Sequence, residues 1–204
     1  MKLRLSVVLA MLALSVACDR GTVPSSPEAM TPAGPSALPA ASTPSGTLQH
    51  TNAVQGRQDV MITIADACDS TTFNAALGPG ACTRVGGVQF DQFIATLTRL
   101  GFIGPWHFAP NTANIRVGQN FVAVNKGGEV HTFTEVEQFG GGIVPSLNGL
   151  AGVPDVAPEC SRLEDDDFVA PGATYREEVK GTGRLKFQCC IHPWMKLEAE
   201  ATSR

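Results

Sequence analysis

The sequence predicts an all-β protein, a Greek-key β-sandwich carrying a short N-terminal helical extension. From Trp106 onward, short runs rich in β-branched and aromatic residues are separated by Gly, Pro and Asn, the punctuation of a sandwich rather than a helical fold. A 3.6-residue apolar pattern lies ahead of that point, in FDQFIATLTRLG, and marks a helix outside the strand-rich part. The last two runs alternate apolar and polar residues on either side of a reversal, the mark of paired strands with one face in a core.

The chain has 204 residues, enough for one domain of ordinary size plus appendages. Residues 1–17 combine a basic start (Lys2, Arg4), an apolar run from Leu5 to about Val16 and small residues before Cys18, the pattern of a secretory signal peptide. That run is too short to span a bilayer. Cys18 directly after Ser15-Val16-Ala17 fits a lipoprotein signal, in which the cysteine is lipidated and becomes the mature terminus. Either outcome takes the protein out of the cytoplasm, to the periplasm or the cell surface, where disulfides are permitted. Residues 18–56 are mostly Pro, Ser, Ala and Thr, with little to bury, and are expected to form a disordered tether. His50 falls in this stretch and reads as a linker residue.

Folded sequence is expected from residue 57, with 57–104 an extension packed on the core and 105–204 the main domain. DVMITIAD reads as the first strand. In the helix that follows, Phe90, Phe93, Ile94, Leu97 and Leu100 share one face and Gly101 stops it. Further strands are expected in WHFA, ANIRV, FVAVN, VHTFTEV, ATYREEV, GRLKFQC and MKLEAEA. The long connection from Gln138 to Gly172 is expected to be functional or tied down, and Cys160 offers the means. Net charge is −4 with no basic stripe, so nucleic acid is not an expected partner. Glu164 to Asp167 reads as a solvated loop.

The chemistry gathers in FQCCIHPWMK, Phe187 to Lys196. Leu185, Phe187 and Cys189 share one strand face, and Lys186, Gln188 and Cys190 the other. Beyond the turn, Met195 falls on the same core face as Leu197, Ala199 and Ala201. A thiolate, an imidazole from His192 and a thioether can therefore converge inside a sandwich. Two imidazoles, a thiolate and a weak methionine sulfur form the donor set of blue copper. The chain has four histidines. His131, after a Gly-Gly turn in VNKGGEVHTFTEV, is the better second imidazole; His107 beside Trp106 reads as a surface or core residue.

From about Trp106 to the C-terminus the chain resembles the cupredoxins, the blue copper family of plastocyanin, pseudoazurin and amicyanin. HFAPNTANIRVGQNFVAVN is similar to their opening strands, VNKGGEVHTF to their first histidine segment, and CCIHPWMK, with Cys189-x-x-His192-x-x-Met195, to the short ligand loop of amicyanin-like members. The resemblance implies one type 1 copper ion held by His131, Cys189 and His192 with Met195 axial. It implies a C-terminal histidine that emerges through an apolar surface, here with Pro193, Trp194, Ile143, Val144 and Pro145 around it. Cys190 stands where Thr is common, and neither residues 57–105 nor the insertion around Cys160 has a counterpart in the smallest members.

With Cys18 assigned to lipid and Cys189 to copper, Cys68, Cys82, Cys160 and Cys190 remain, and three pairings are possible. Cys68 and Cys82 bracket a compact loop, and Cys160 with Cys190 would fasten the insertion beside the ligand loop. In the competing arrangement Cys189 is bridged to Cys160 or Cys190 and no thiolate is left. The function implied by the resemblance is single-electron transfer between redox partner proteins by Cu(I)/Cu(II) cycling, and an N-terminal lipid anchor is the expected membrane contact. The alternative is a copper-binding protein for handling or delivery. No enzyme activity is expected, since multicopper oxidases and nitrite reductases need further histidines, often as His-x-His pairs. Zinc also takes Cys and His, but Met195 suits it poorly.

Overall fold

A computed structural model describes residues 58–203; the expected signal peptide, Cys18, the tether and His50 lie outside them. Two four-stranded sheets face each other. The first contains β1 (Val60–Ala65), β2 (His107–Ala109), β4 (Asn120–Asn125) and β8 (Thr174–Glu178), in the order β2-β1-β4-β8. The second contains β3 (Thr112–Arg116), β6 (Thr134–Glu135), β9 (Gly183–Gln188) and β10 (Lys196–Thr202), in the order β3-β10-β9-β6. A two-stranded ribbon joins β5 (His131–Thr132) to β7 (Phe168–Val169). The result is the expected β-sandwich, in which the chain crosses between the sheets from β2 to β3, from β3 to β4 and from β8 to β9, while β9 and β10 form a hairpin within one sheet.

Phe121, Phe133 and Phe187 stack at the centre. The rings of Phe133 and Phe187 lie 4.5 Å apart and nearly parallel, and Phe121 meets Phe187 edge-on at 5.1 Å. Burying one such ring contributes about 2–3 kcal/mol, so this layer supplies much of the force that closes the sheets. Alternation works as expected in β10, where Leu197, Ala199 and Ala201 are buried while Glu198 and Glu200 are exposed. The expected strand VHTFTEV is broken in two at Phe133. Its ring turns into the core, and the chain changes partner, β5 pairing with β7 and β6 with β9.

The described part of the extension, residues 58–104, contributes more than a layer packed on the outside. β1 lies between β2 and β4, antiparallel to the first and parallel to the second, so the expected boundary at residue 104 cuts through a sheet. Sequence reading placed β1 as a strand but had no means to find its neighbours. After β1 come α1 (Ser70–Leu77) and α2 (Phe90–Leu100). The α1 start is capped by Asp69, whose carboxylate accepts the Thr72 N–H at 2.9 Å, satisfying one of the free donors of a first turn. α2 ends at Gly101 with φ 75°, a left-handed stop that favours glycine. Phe93 and Leu97 of its apolar face are buried, Phe90 and Ile94 partly so, and Leu100 is exposed. Phe73, Phe93 and Trp106 pack together, with Phe93 and Trp106 centred 4.9 Å apart.

The long connection is ordered by α3 (Pro145–Leu150), two single 3-10 turns and β7. Its bridge is Cys160–Cys190, and the second disulfide is Cys68–Cys82. Cys190 does point away from Cys189's side, yet it is fully buried, because the connection folds over it with Val136, Ala157 and Cys160 as a second small core. No helix among the described residues is long and apolar enough to cross a membrane.

Candidate metal centre

The ligand loop is the connection of the β9–β10 hairpin, which closes with Gln188 opposite Lys196. The Cys189 N–H donates to the Met195 carbonyl at 3.1 Å, and the Met195 N–H to the His192 carbonyl at 2.9 Å. These two bonds fold the reversal back on itself, so its side chains start from adjacent points. The β5 segment lies alongside. Thr132 Oγ1 accepts the Cys190 N–H at 2.8 Å, and the Thr132 N–H donates to Cys189 Sγ at 3.4 Å. This docking carries His131 to the loop.

His131, Cys189 and His192 meet there, all buried, with donor atoms within 4.8 Å of one another. Cys189 Sγ lies 3.7 Å from His131 Nδ1 and 3.8 Å from His192 Nδ1, and the two Nδ1 atoms are 3.2 Å apart. Such separations suit three donors sharing one ion at about 2.0–2.3 Å. Cys189 is the free cysteine among the described residues. The bridges are Cys68–Cys82 and Cys160–Cys190, and neither takes the Cys189 sulfur. Met195 is fully buried beside this triangle in the chain. His107 is elsewhere: it is exposed, and its Nδ1 lies 3.0 Å from the Gly104 carbonyl. The donor chemistry, a free thiol with two imidazoles turned toward it in a dry interior, fits a thiophilic transition-metal ion.

One expectation fails. His192 does not emerge through the surface: it is 3% exposed, and its ring meets the Trp194 ring edge-on at 5.4 Å. Trp194 in turn contacts Phe93 of α2. The segment ahead of residue 105 thus brings an aromatic cover to the side where the histidine was expected to open. Ile143 and Pro145 are exposed, Val144 and Trp194 half-buried, and Pro193 is buried.

Sequence reading also missed the groups behind the imidazoles. His131 Nε2 lies 2.9 Å from Asp66 Oδ2. Asp66 accepts N–H bonds from Cys68 (3.1 Å), Gly128 (3.0 Å) and Glu129 (3.0 Å). Glu129 Oε2 lies 3.7 Å from His192 Nε2 and accepts the Trp106 indole N–H at 2.6 Å. The sequence signals were slight: an Asp two places before Cys68, and a Glu two places before His131.

Electrostatics couple these groups. Burial pushes the Cys189 thiol up, but hydrogen bonds and positive charge from His131 and His192 bring it well below its ordinary value. Burial works against the charge on His131, yet Asp66 and the Cys189 sulfur together raise it to about 9. Burial likewise opposes ionisation of Asp66, and His131 with the three backbone N–H groups holds its carboxyl well below the usual carboxylate range. Glu129 is raised, chiefly by burial, with His192 and Trp106 pulling the other way. Both imidazoles thus favour the thiolate, the form that binds metal.

The fold and centre define a β-sandwich with a buried two-histidine, one-cysteine site. No protein-family model matches the chain, and no curated protein is similar to it. Among solved structures it is similar to a purple cupredoxin from Nitrosopumilus maritimus, at 14% identity over 71% of this chain and 100% of the other, with TM-score 0.40. It is also similar to oxidised plastocyanin from Dryopteris crassirhizoma (16% identity, 48% of this chain, 91% of the other, TM-score 0.33). A Cu(I) amicyanin mutant is at 13% identity over 49% of this chain and 77% of the other, with TM-score 0.33. With overlaps this loose, the fold assignment rests on the strand order and core described above.

Proposed function

We propose that this chain is an extracytoplasmic type 1 copper protein that passes single electrons between redox partner proteins. The supporting observation is the buried triangle of Cys189 Sγ and two imidazole Nδ1 atoms, with 3.2, 3.7 and 3.8 Å sides. Bound copper would supply a one-electron Cu(II)/Cu(I) couple, taking an electron from one redox protein and giving it to another. The protein supplies a rigid frame. His131, Cys189 and His192 would be the strong donors, and Met195, buried in the same folded loop, would supply the weak thioether. The N–H groups of Thr132 and His192 each lie 3.4 Å from Cys189 Sγ, steadying the thiolate and restricting its movement. The His131 ring is also held from behind by Asp66, so little rearrangement is open to the site on gain or loss of charge.

Delivery of copper by the same residues is the second reading. Burial of all three donors favours retention over exchange. Two disulfides among the described residues support folding in an oxidising compartment, in keeping with export and lipid attachment at Cys18.

The test is the optical and EPR spectrum of the copper-loaded protein. An intense thiolate-to-copper band is expected, lost in Cys189→Ser and kept in the Cys160→Ser/Cys190→Ser double variant. A band that survives without Cys189 would end the proposal. Faster copper transfer to a chelator than electron exchange with a small redox protein would favour delivery.

A further inference from the structure

Each imidazole in the centre has a second nitrogen, and both second nitrogens face buried carboxylates. Between His131 Nε2 and Asp66 Oδ2 the distance is 2.9 Å, with both side chains fully buried. Between His192 Nε2 and Glu129 Oε2 it is 3.7 Å, too long for a hydrogen bond but close enough for strong Coulombic influence where water is excluded. Neither carboxylate is free to turn away. Asp66 takes three backbone N–H bonds, and Glu129 takes the Trp106 indole. The Gly-Gly turn closes tightly on Asp66: a Cβ on Gly127 would stand 1.9 Å from Asp66 Oδ2.

A carboxylate on the far nitrogen of a ligand imidazole orients the ring, holds the proton on that nitrogen and makes the metal-facing nitrogen a stronger donor. Fixed negative charge behind the ligands also favours whichever ion carries more positive charge. Resting on the copper reading above, we propose that Asp66 and Glu129 are positioning residues that bias this centre toward Cu(II) over Cu(I). Asp66 has the larger share because it is hydrogen-bonded to its imidazole, whereas Glu129 acts across a gap. The two N–H groups on Cys189 Sγ pull the other way, drawing charge from the thiolate.

The experiment measures Cu(II) and Cu(I) affinities by chelator competition in the full chain and in its Asp66→Asn and Glu129→Gln variants. Cu(II) affinity is expected to fall about 10–100-fold in Asp66→Asn, with a smaller fall for Cu(I). Each tenfold change in that ratio raises the reduction potential by about 59 mV. Glu129→Gln should move the ratio the same way by a smaller factor. Both Asp66 oxygens accept N–H bonds, so an amide there sets an NH2 group against donors; if that variant does not fold, the Glu129→Gln ratio decides alone. The metal-free protein gives a separate readout. The His131 Nε2–H proton should resonate far downfield and move upfield in Asp66→Asn. Equal losses for the two ions, an unchanged ratio, or an unmoved ring proton would overturn the proposal. A chain with no thiolate-to-copper band overturns the copper reading and this preference with it, whereas a normal band with an unchanged ratio overturns the preference alone.

Discussion

The two sides of the candidate metal centre are built in opposite ways. Cys189, His192 and Met195 lie within one hairpin connection, tied by backbone bonds between residues a few positions apart. His131 is brought in from the other side by groups distant along the chain: Asp66 after β1, with Cys68 and Arg84, packed against the Gly127-Gly128 turn that leads into the histidine. The ligand loop owes its shape to short-range closure, so sequence changes elsewhere should leave its backbone intact. The His131 side depends on long-range packing, and one misplaced atom there disturbs a buried ion pair.

The largest effect should come from the His131 side. In Gly127→Ala the added carbon would meet both the Asp66 carboxylate and its backbone nitrogen. A loss of about 4 kcal/mol is expected, in the range where buried networks break. Urea unfolding of the metal-free protein measures it, and a loss under about 1 kcal/mol would mean that the turn yields easily.

Next comes the bridge that fastens the insertion over the ligand loop. Replacing Cys160 and Cys190 with Ala removes a closure across 30 positions and should lower stability by about 3 kcal/mol. The thiolate-to-copper band should persist, because the loop's own bonds do not involve that bridge. A band lost together with the bridge would show that the hairpin connection is not self-sufficient, which contradicts the contrast between the two sides.

Trp106→Phe keeps most of the aromatic packing on Phe93 and removes the indole N–H that Glu129 accepts. A buried acceptor left unpaired costs about 1–3 kcal/mol, and thermal unfolding of this variant should fall in that span. Smallest of all is Asp59→Asn at the sheet edge, where Asp59 meets the exposed Arg176. Hydrogen bonds from Asn120 and Arg176 hold the Asp59 carboxyl below its ordinary value. Its contribution is therefore fully present above the ordinary carboxylate pKa and lost as pH falls through the lowered one. Surface pairs contribute little, so acid unfolding of this variant should nearly superimpose on that of the parent.

Much of this was legible beforehand where it depended on neighbours in the chain. Alternation placed Cys189 and Met195 on the core face, since side-chain direction in a strand follows from position alone. The α2 helix and its glycine stop were legible for the same reason. Three features were not. β1 was recognised as a strand, but the pairing that makes it a central one is set by partners far away in sequence. VHTFTEV looked continuous, and only the competition of two sheets for its halves splits it at Phe133. His192 was expected at the surface from the resemblance, and nothing in CCIHPWMK announces that Phe93, from the preceding extension, packs on the Trp194 ring that meets it.

What the sequence by itself determined was a set of candidate donors and their spacing: a thiol, an imidazole and a thioether on one hairpin, with a second imidazole opening a strand after a Gly-Gly turn. Local geometry suffices there, because strand periodicity and a short turn leave few ways to arrange those side chains. Only the tertiary structure decided what stands behind the rings and whether the centre is open or covered. A buried carboxylate meets an imidazole through packing among β1, the β4–β5 turn and α2, and those contacts are chosen by the closure of the whole core rather than by any one segment.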